Sequence, residues 1–200
     1  MATKVLFLDR DGTLNVEPDD EQVDALSKVR LVPGVISALQ ALRDDGYRFV
    51  MVTNQDGLGT PSFPTADFEV CQEHIVAIFS SQGIEFDEVF VCPHVDADNC
   101  ECRKPRTGLL TRFLAGLDLD LDASAVIGDR PTDLELADNI GLRGFLFDPD
   151  GDYEQSWDGI RASLLSRARR GAVRRQTRET NIELHVNLDE TAPISISTGI

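Results

Sequence analysis

Five short runs of apolar residues, separated by stretches of helical character, recur along most of this sequence. The runs are Lys4–Leu8, Arg48–Val52, Glu88–Cys92, Ala125–Ile127 and Gly144–Phe147. A short and nearly uninterrupted apolar run is typical of a parallel strand that is buried on both faces. Strands that alternate with helices need right-handed crossovers, so helices cover both faces of the sheet. The pattern therefore predicts an α/β domain built on a doubly wound parallel sheet.

The stretches between these runs place apolar residues on one helical face. They extend from Pro33-Gly34 to Asp45-Gly46, and over Thr65–Gln82, Thr107–Ala115 and Asp133–Asn139. The end of the sequence differs, because Ala162–Arg175 is rich in arginine and predicts a solvated helix followed by a linker. Asn181–Leu188 alternates polar and apolar residues, as a half-exposed strand does. Such a strand needs a sheet to join, so we expect it to be poorly ordered or to pair opportunistically.

The charge balance narrows the classes of partner. The 200 residues carry a net charge of −16, which opposes a nucleic-acid partner because phosphate contacts need clustered lysine and arginine. No apolar run approaches the roughly 20 residues that cross a bilayer. The first residues turn acidic at Asp9, too early for a signal peptide. We therefore expect a cytoplasmic protein that binds neither nucleic acid nor membrane.

Polar residues of chemical interest follow the predicted strands. They are Asp9, Asp11, Thr53, Asn54, Lys104 and Asp129. Ligands of parallel sheets bind outside the carboxyl ends of the strands, so these side chains should meet at one edge. Each motif alone has an ordinary explanation as an acidic turn, a cap or a solvated basic pair. Their order at successive strand ends is far more specific than any one of them.

Together these segments resemble the haloacid-dehalogenase-type phosphatases. The resemblance implies that Asp9 is the nucleophile and that Asp11 protonates the leaving alkoxide and then activates water. It also implies that Thr53 binds the phosphoryl group and that Lys104 neutralises charge near it. The Asn54 amide, next to Thr53, could donate a further hydrogen bond to that group. Mg²⁺ would be held by the Asp9 carboxylate, the Asp11 carbonyl and Asp129. These roles suit phosphoryl transfer, which depends mainly on positioning and on charge stabilisation.

A second cluster combines three cysteines with a histidine. Cys92, His94, Cys100 and Cys102 lie within eleven residues. Three thiolates and one imidazole suit a tetrahedral Zn²⁺ with no open position, which predicts a structural zinc site. The surrounding loop is polar and short of core residues, so metal would replace apolar packing there. The fourth cysteine, Cys71, lies on a predicted helix and is expected in the core.

The zinc loop and the lack of room for a large cap narrow the resemblance further. The sequence resembles the histidinol-phosphatase domain of the bifunctional histidine-biosynthesis enzyme, followed by the opening of its imidazole-glycerol-phosphate dehydratase domain. The segments that carry this resemblance are Thr53–Thr60, Ser62–Pro64, Arg178–Glu183, Leu188–Glu190 and Ile196–Ile200. It implies a phosphatase domain over 1–168, and a linker with a truncated dehydratase start over 169–200. We expect no dehydratase activity from this chain.

The implied substrate is L-histidinol phosphate, whose amine and imidazole an acidic site mouth could select. Glu17, eight residues after Asp9, is the candidate selecting carboxylate. A heptose-bisphosphate phosphatase shares the same chemistry and stays open as an alternative. A DNA 3′-phosphatase is opposed by the acidity of the chain, and a non-catalytic zinc-stabilised binding module by its carboxylates at two strand ends. The resemblance predicts a monomer or a weak dimer.

Overall fold

A computed structural model describes residues 2–166 in full, together with the backbone of 170–176 and 181–187. Its first five strands are β1 (Val5–Leu8), β2 (Arg48–Asn54), β3 (Phe86–Cys92), β4 (Ala125–Gly128) and β5 (Arg143–Leu146). They form one parallel sheet in the order β3-β2-β1-β4-β5. The strand order reverses at β1, which is where a doubly wound sheet opens a crevice for ligands. The predicted fold class is confirmed.

Five helices accompany this sheet: α1 (Val35–Asp44), α2 (Thr65–Ser81), α3 (Thr111–Ala115), α4 (Pro131–Ile140) and α5 (Trp157–Leu165). The first two and the fourth agree with the predicted helices to within two residues. The third starts four residues later than predicted, because Gly108 donates its N–H to the carbonyl of Glu101 instead of continuing a helix. Within the described residues, no inserted domain caps the sheet, and no helix is long and apolar enough to cross a membrane.

Apolar side chains cover both faces of the sheet, as strands buried on two sides require. One core joins Leu6 and Leu8 of β1 to residues of α1, α2 and α5. The other core joins Val5 and Phe7 to residues around α3 and α4. Cys71 lies in the first core, as predicted. The alternation of Val5–Leu8 between two cores explains why this run carries no polar residue before Asp9.

The backbone after the last helix corrects one prediction. Residues Arg170–Gln176 form a strand, β6, that pairs antiparallel with β7 (Asn181–Asn187), so the prediction of helix and linker over 162–175 was wrong there. The half-exposed strand predicted near 181–188 needs a partner for its backbone groups, and β6 supplies one. The chain divides into two compact units, Met1–Leu165 and Ser166–Ile200. The functional assignment of the two parts stays a prediction.

The α5 helix, whose start the sequence analysis missed, holds the loop that follows β1. Trp157 is 2% exposed, and its indole N–H donates to the carbonyl of Thr13 over 3.1 Å. Its ring packs beside Phe147 with centroids 5.8 Å apart. Gly159 is required next to it, because a Cβ there would lie 2.0 Å from the carbonyl oxygen of Tyr153. The Asp9–Thr13 loop therefore depends on a residue that lies 144 positions after Thr13 in the chain.

We expect Trp157→Phe to lower the free energy of unfolding by about 1–3 kcal/mol. The substitution keeps most of the apolar contact but leaves the buried Thr13 carbonyl without its donor. Urea unfolding followed by circular dichroism measures the change. Tyr153→Phe is the matched control, since Tyr153 is 60% exposed and its loss should cost less than about 0.5 kcal/mol. Equal stability of the two variants would contradict this role of Trp157.

Candidate active site

The carboxyl edge of the sheet encloses a cavity of about 320 Å³ at the crevice beside β1. Its lining includes the predicted site residues Asp9, Asp11, Glu17, Thr53, Asn54 and Lys104. Asp129 follows β4 directly, and a carboxylate oxygen of Asp129 lies within 4.8 Å of oxygens of Asp9 and Asp133. The structure thus brings the predicted residues together, because the carboxyl ends of the parallel strands lie at the same edge of the sheet.

A buried lysine joins two of these carboxylates. Lys104 Nζ lies 2.5 Å from Asp9 Oδ1 and 2.7 Å from Asp133 Oδ1, and its side chain is only 4% exposed. Burial alone would lower the pKa of Lys104, but the two carboxylates outweigh it and raise that pKa. Burial raises the pKa of Asp9, with Lys104 opposing the rise and Asp133 adding to it. Lys104 therefore stays charged, beside the carboxylate that is the candidate nucleophile.

Asp129 carries negative charge that nothing nearby fully compensates. Burial, followed by repulsion from Asp9 and Asp133, raises the pKa of Asp129 to about 7. Oxygen donors this close together suit a hard divalent cation such as Mg²⁺, which would relieve the repulsion. The group Asp9, Asp129 and Asp133 can therefore hold a metal ion. Asp133 was not among the predicted ligands, because an acidic residue at a helix start is favourable without any function.

Two glycines make room for this crowding. A Cβ at Gly12 would lie 2.3 Å from Asp129 Oδ2, and Gly12 has a φ of +79°, which side chains rarely adopt. A Cβ at Gly128 would lie 2.1 Å from Asp133 Cγ. The carboxylates approach the backbone only because both positions lack a side chain.

Asn54 and Thr53 lie at the end of β2 with different partners. The Asn54 side chain accepts from the main-chain N–H of Lys104 at 3.0 Å and donates to the Lys104 carbonyl at 3.3 Å. Thr53 Oγ1 accepts a hydrogen bond of 2.7 Å from Gln55 Nε2 and is nearly fully buried. Asn54 thereby holds the backbone of the lysine, while its predicted contact with substrate stays a prediction.

Two ion pairs flank the mouth of the cavity. Glu17 Oε1 lies 2.5 Å from Arg130 Nη2, and Asp56 pairs with Arg103. Burial raises the pKa of Glu17, although Arg130 opposes that rise. Asp20 and Glu21 also line the mouth, so carboxylates outnumber guanidinium groups there. Glu17, the residue predicted to select the substrate, therefore lies at the entrance of the cavity. The carboxylates there form an acidic rim.

The cysteine and histidine cluster forms beside this site, at the end of β3. Cys92 Sγ lies 3.6 Å from Cys100 Sγ, 3.1 Å from Cys102 Sγ and 3.6 Å from His94 Nδ1. Burial, with help from Cys102, raises the pKa of the Cys92 thiol to about 12, so a cation is needed to hold it as a thiolate. Four soft donors that converge in this way can hold a metal ion.

The cluster is tied directly to the segment that carries Lys104. Arg103 Nη1 donates to the carbonyl of His94 over 3.2 Å, and Arg106 Nη1 donates to the carbonyl of Cys100 over 2.7 Å. Lys104 lies between these two arginines in the chain. The same short loop therefore serves both the cluster and the active site.

Sequence reasoning missed a set of buried side chains behind the site. Arg10 is 0% exposed and forms an ion pair of 2.7 Å with Asp11, and Gln55 donates to Asp11 over 2.8 Å. Arginine is mostly exposed in proteins, so its residue type gave no sign of burial. The one available signal was its position between two carboxylates at the end of a buried strand.

A doubly wound sheet with a buried aspartate–lysine pair and a carboxylate cluster at its carboxyl edge is an arrangement that can hold a cation and a phosphoryl group. Comparison with known proteins agrees. Residues 101–157 match the HAD-hydrolase-like family. A solved protein of Mesorhizobium loti, classed as a HAD-like phosphatase, is 30% identical, with a TM-score of 0.66 over 76% of this chain and 74% of that one. The chain belongs to the HAD-like phosphatase family.

Relatives of higher identity are longer proteins. The histidine biosynthesis bifunctional protein HisB of Legionella pneumophila (strain Lens) is 49% identical over 98% of this chain and 55% of its own length. HisB of Xylella fastidiosa (strain M23) is 49% identical over 99% of this chain and 53% of its own. The chain thus spans about half the length of these curated relatives.

A second solved structure is similar over more of this chain. The D,D-heptose 1,7-bisphosphate phosphatase of B. bronchiseptica, solved with magnesium and phosphate, is 28% identical with a TM-score of 0.70. The match covers 82% of this chain and 98% of that one. This similarity agrees with a site that can hold a cation and a phosphoryl group.

We expect the metal-free protein to bind Mg²⁺ about tenfold more tightly at about pH 8 than at about pH 6. A proton and the cation compete for Asp129, and its pKa of about 7 means that the proton is lost as the pH rises across this range. Isothermal titration calorimetry at the two pH values measures the difference.

Asp129→Asn is the control, and it should bind Mg²⁺ weakly at both pH values because the ligand is lost. An affinity of the unsubstituted protein that does not change with pH would contradict the assignment of Asp129 as a ligand.

Proposed function

We propose that this chain hydrolyses L-histidinol phosphate to L-histidinol and phosphate, through a phosphoaspartate on Asp9. The observation that carries the substrate is the identity of 45–49% to bifunctional histidine-biosynthesis proteins over nearly the whole chain. The buried Asp9–Lys104 pair at the carboxyl edge of the sheet supports the chemistry. The reaction belongs to histidine biosynthesis.

In the first step an Asp9 oxygen forms a bond to phosphorus as the bond from phosphorus to the alcohol oxygen breaks. Asp11 gives its proton to the departing alkoxide, so L-histidinol leaves neutral at that oxygen. In the second step Asp11 takes a proton from water, whose oxygen attacks phosphorus while the Asp9–phosphorus bond breaks. Phosphate leaves, and both aspartates return to their starting states.

Lys104 and Thr53 bind the transferring group in this scheme. The Lys104 ammonium, held 2.5 Å from Asp9, offsets the negative charge that the nucleophile and the phosphoryl oxygens share. The Thr53 hydroxyl, at the end of β2, donates to a phosphoryl oxygen, and Asn54 keeps Lys104 in reach. A carboxylate would otherwise be repelled by the dianion that it attacks.

Mg²⁺ is the proposed catalytic cation, held by the Asp9 carboxylate, the Asp11 carbonyl and Asp129. The close approach of carboxylates to Asp129 fits a hard cation with oxygen ligands. The cation supplies charge neutralisation at the phosphoryl oxygens.

The acidic rim of the cavity favours a substrate whose alcohol part carries positive charge. Glu17, Asp20, Glu21 and Asp56 line the mouth against two guanidinium groups, Arg103 and Arg130. Both guanidinium groups are already paired with carboxylates. Asp20 is likewise paired, with Lys28, so the negative charge that remains at the mouth is that of Glu21. This charge, with the carboxylates deeper in the cavity, attracts an amine or a protonated imidazole and repels a second phosphate.

Heptose bisphosphate is the second candidate substrate, because the structure of a heptose-bisphosphate phosphatase matches this chain over 82% of its length. Its second phosphate would need free cations at the mouth. The paired state of Arg103 and Arg130 therefore favours histidinol phosphate.

The proposal includes a structural Zn²⁺ held by Cys92, His94, Cys100 and Cys102. It further includes a small phosphomonoester as the substrate, no binding of nucleic acid or membrane, a cytoplasmic location, and a chain that is monomeric or weakly dimeric. The donor set supports zinc, since three thiolates and an imidazole leave no position for substrate.

We expect phosphate release from L-histidinol phosphate in the presence of Mg²⁺, and a loss of at least about 1,000-fold in kcat for Asp9→Asn. The amide cannot form the phosphoenzyme. A continuous phosphate assay measures both rates. Turnover that survives Asp9→Asn would contradict the phosphoaspartate pathway.

The same assay separates the two substrates. Glu17→Gln should raise KM for histidinol phosphate and leave KM for 4-nitrophenyl phosphate unchanged, since only the first substrate carries a cation. Turnover of heptose bisphosphate without turnover of histidinol phosphate would keep the chemistry and reverse the substrate assignment.

For the second metal site we expect one zinc per purified chain, and Cys102→Ser should lose it. Removal of one thiolate breaks the tetrahedral set and should lower the thermal midpoint by several degrees. Metal content by mass spectrometry and thermal unfolding measure the change. Cys71→Ser is the matched control, because this buried thiol lies in the core and should leave zinc content unchanged. Zinc retained in Cys102→Ser would contradict the ligand set.

A further inference from the structure

Arg10, between the two aspartates of the β1 loop, is a fully buried cation that the proposed chemistry does not use. Its side chain is 0% exposed, although a buried charge is costly unless it is paired. Arginines are otherwise found mainly at the surface. The position therefore needs a physical reason, and the contacts of the guanidinium provide one.

The guanidinium of Arg10 contacts both carboxylate oxygens of Asp11, and this two-point contact is called the fork. Its Nε donates to Asp11 Oδ1 over 3.0 Å, and its Nη2 donates to Asp11 Oδ2 over 2.7 Å. A two-point contact of this kind fixes the plane and direction of a carboxylate, which a single bond does not. Arg10 therefore sets where the Asp11 oxygens point.

Elements behind the site hold the guanidinium itself. Nη2 also donates to Gln55 Oε1 over 2.8 Å, and Nη1 donates to Gln72 Oε1 of α2 over 3.0 Å. The ring of Phe68, also on α2, lies 4.9 Å from the guanidinium carbon. Arg10 is thus held by Gln55, which directly follows β2, and by residues of α2.

Gln55 closes the network on the reacting side. Its Nε2 donates to Asp11 Oδ2 over 2.8 Å and to Thr53 Oγ1 over 2.7 Å. One amide thus joins the carboxylate proposed to move protons to the hydroxyl proposed to bind the phosphoryl group. The hydrogen bonds of the Arg10 side chain go to Asp11, Gln55 and Gln72, on the side of Asp11 rather than of the nucleophile.

We propose that Arg10 is a positioning residue for Asp11, which controls the two proton transfers and leaves the attack of Asp9 on phosphorus largely unaffected. The proposal rests on the phosphoaspartate pathway proposed above. Asp11 donates its proton to the leaving oxygen and later accepts one from water. Both transfers need the Asp11 carboxylate, which lines the cavity, to be held in one place, and the contacts from Arg10 and Gln55 fix it there.

The test uses leaving groups that differ in their need for a proton. 4-Nitrophenolate departs from phosphorus without protonation, whereas the more basic phenolate of phenyl phosphate benefits from an acid. With Mg²⁺ present, Arg10→Met should slow the steady-state turnover of phenyl phosphate about 100-fold. The pre-steady-state burst of 4-nitrophenolate should slow less than about threefold, because this burst reports the attack of Asp9.

A double-mutant cycle with Asp11→Asn then separates positioning from a general structural role. If Arg10 acts through Asp11, adding Arg10→Met to Asp11→Asn should change the turnover of phenyl phosphate by less than about twofold. If the rate losses of the two single variants multiply in the double variant, the proposal is overturned. It is also overturned if Arg10→Met slows the burst of 4-nitrophenolate as much as the turnover of phenyl phosphate. Unchanged turnover of phenyl phosphate in Arg10→Met would overturn it as well.

Two further variants keep the test decisive. Arg10→Lys retains the buried charge without the fork, and should show the same leaving-group signature even if Arg10→Met folds poorly. Gln72→Leu removes the contact from α2 but keeps the fork, and should slow the turnover of phenyl phosphate less than about threefold. A loss for Gln72→Leu equal to that for Arg10→Lys would overturn the proposal, since the shared cause would be the packing of α2.

Asp9→Asn, measured alongside, separates this proposal from the proposed function. Retained activity of Asp9→Asn would overturn the nucleophile, and with it the step on which Arg10 is proposed to act. An inactive Asp9→Asn together with multiplying factors in the cycle would overturn the Arg10 proposal alone. Neither substrate carries the histidinol group, so the outcome does not depend on the substrate assignment.

Discussion

The crowding of carboxylates at one edge of the sheet is the constraint to which the rest of this structure responds. Oxygens of Asp9, Asp129 and Asp133 lie within 4.8 Å of one another; Asp9 and Asp133 are buried, and Asp129 is half-buried. Like charges at such distances repel strongly when they are removed from solvent. Lys104 compensates Asp9 and Asp133 by direct contact, and the excess charge is visible in the raised pKa of Asp129. The repulsion is useful, because it makes the site receptive to a divalent cation.

Lys104 is essential to this balance, yet it lies on a loop and not on a strand. Several contacts hold the loop. The side chain of Asn54 binds the Lys104 backbone, Arg103 and Arg106 donate to carbonyls of the cysteine and histidine cluster, and Asn139 donates to the Pro105 carbonyl. Between Cys92, which ends β3, and Leu110, the loop has no buried apolar side chain. A metal ion in the cluster would therefore hold this loop in place, as apolar packing does for other parts of the chain. The position of Lys104, which compensates the charge at the active site, therefore depends on the cysteine and histidine cluster.

A layer of polar side chains behind the cavity connects the reacting groups to the framework. Arg10 and Gln55 hold the carboxylate of Asp11, and Trp157 of α5 holds the carbonyl of Thr13 in the same loop. The loop after β1 is thus fixed from α2 on one side and from α5 on another. Pre-organisation of this kind matters for phosphoryl transfer, in which positioning and electrostatics account for most of the catalysis.

The sequence by itself determined the sheet, most of the helices and the convergence of the main site residues. The period of the apolar residues selects strands and helices, and parallel connectivity places the residues after each strand at one edge. Asp9, Thr53 and Asp129 could be chosen on those grounds, whereas Lys104 lies on the loop beyond β3 and its role followed from the resemblance to a known family. The four cluster residues could be chosen because soft donors at short spacing are rare by chance.

Only the tertiary structure decided which side chains contact one another. The pairing of Asp133 with Lys104, the burial of Arg10 and the bond from Trp157 to Thr13 each join residues that are distant in the chain or unusual in their surroundings. The same holds for β6, whose arginine-rich sequence suggests a solvated helix until β7 offers it backbone partners. Periodicity reports which face of an element is apolar, whereas the partner of a polar group depends on distances that only the folded chain sets.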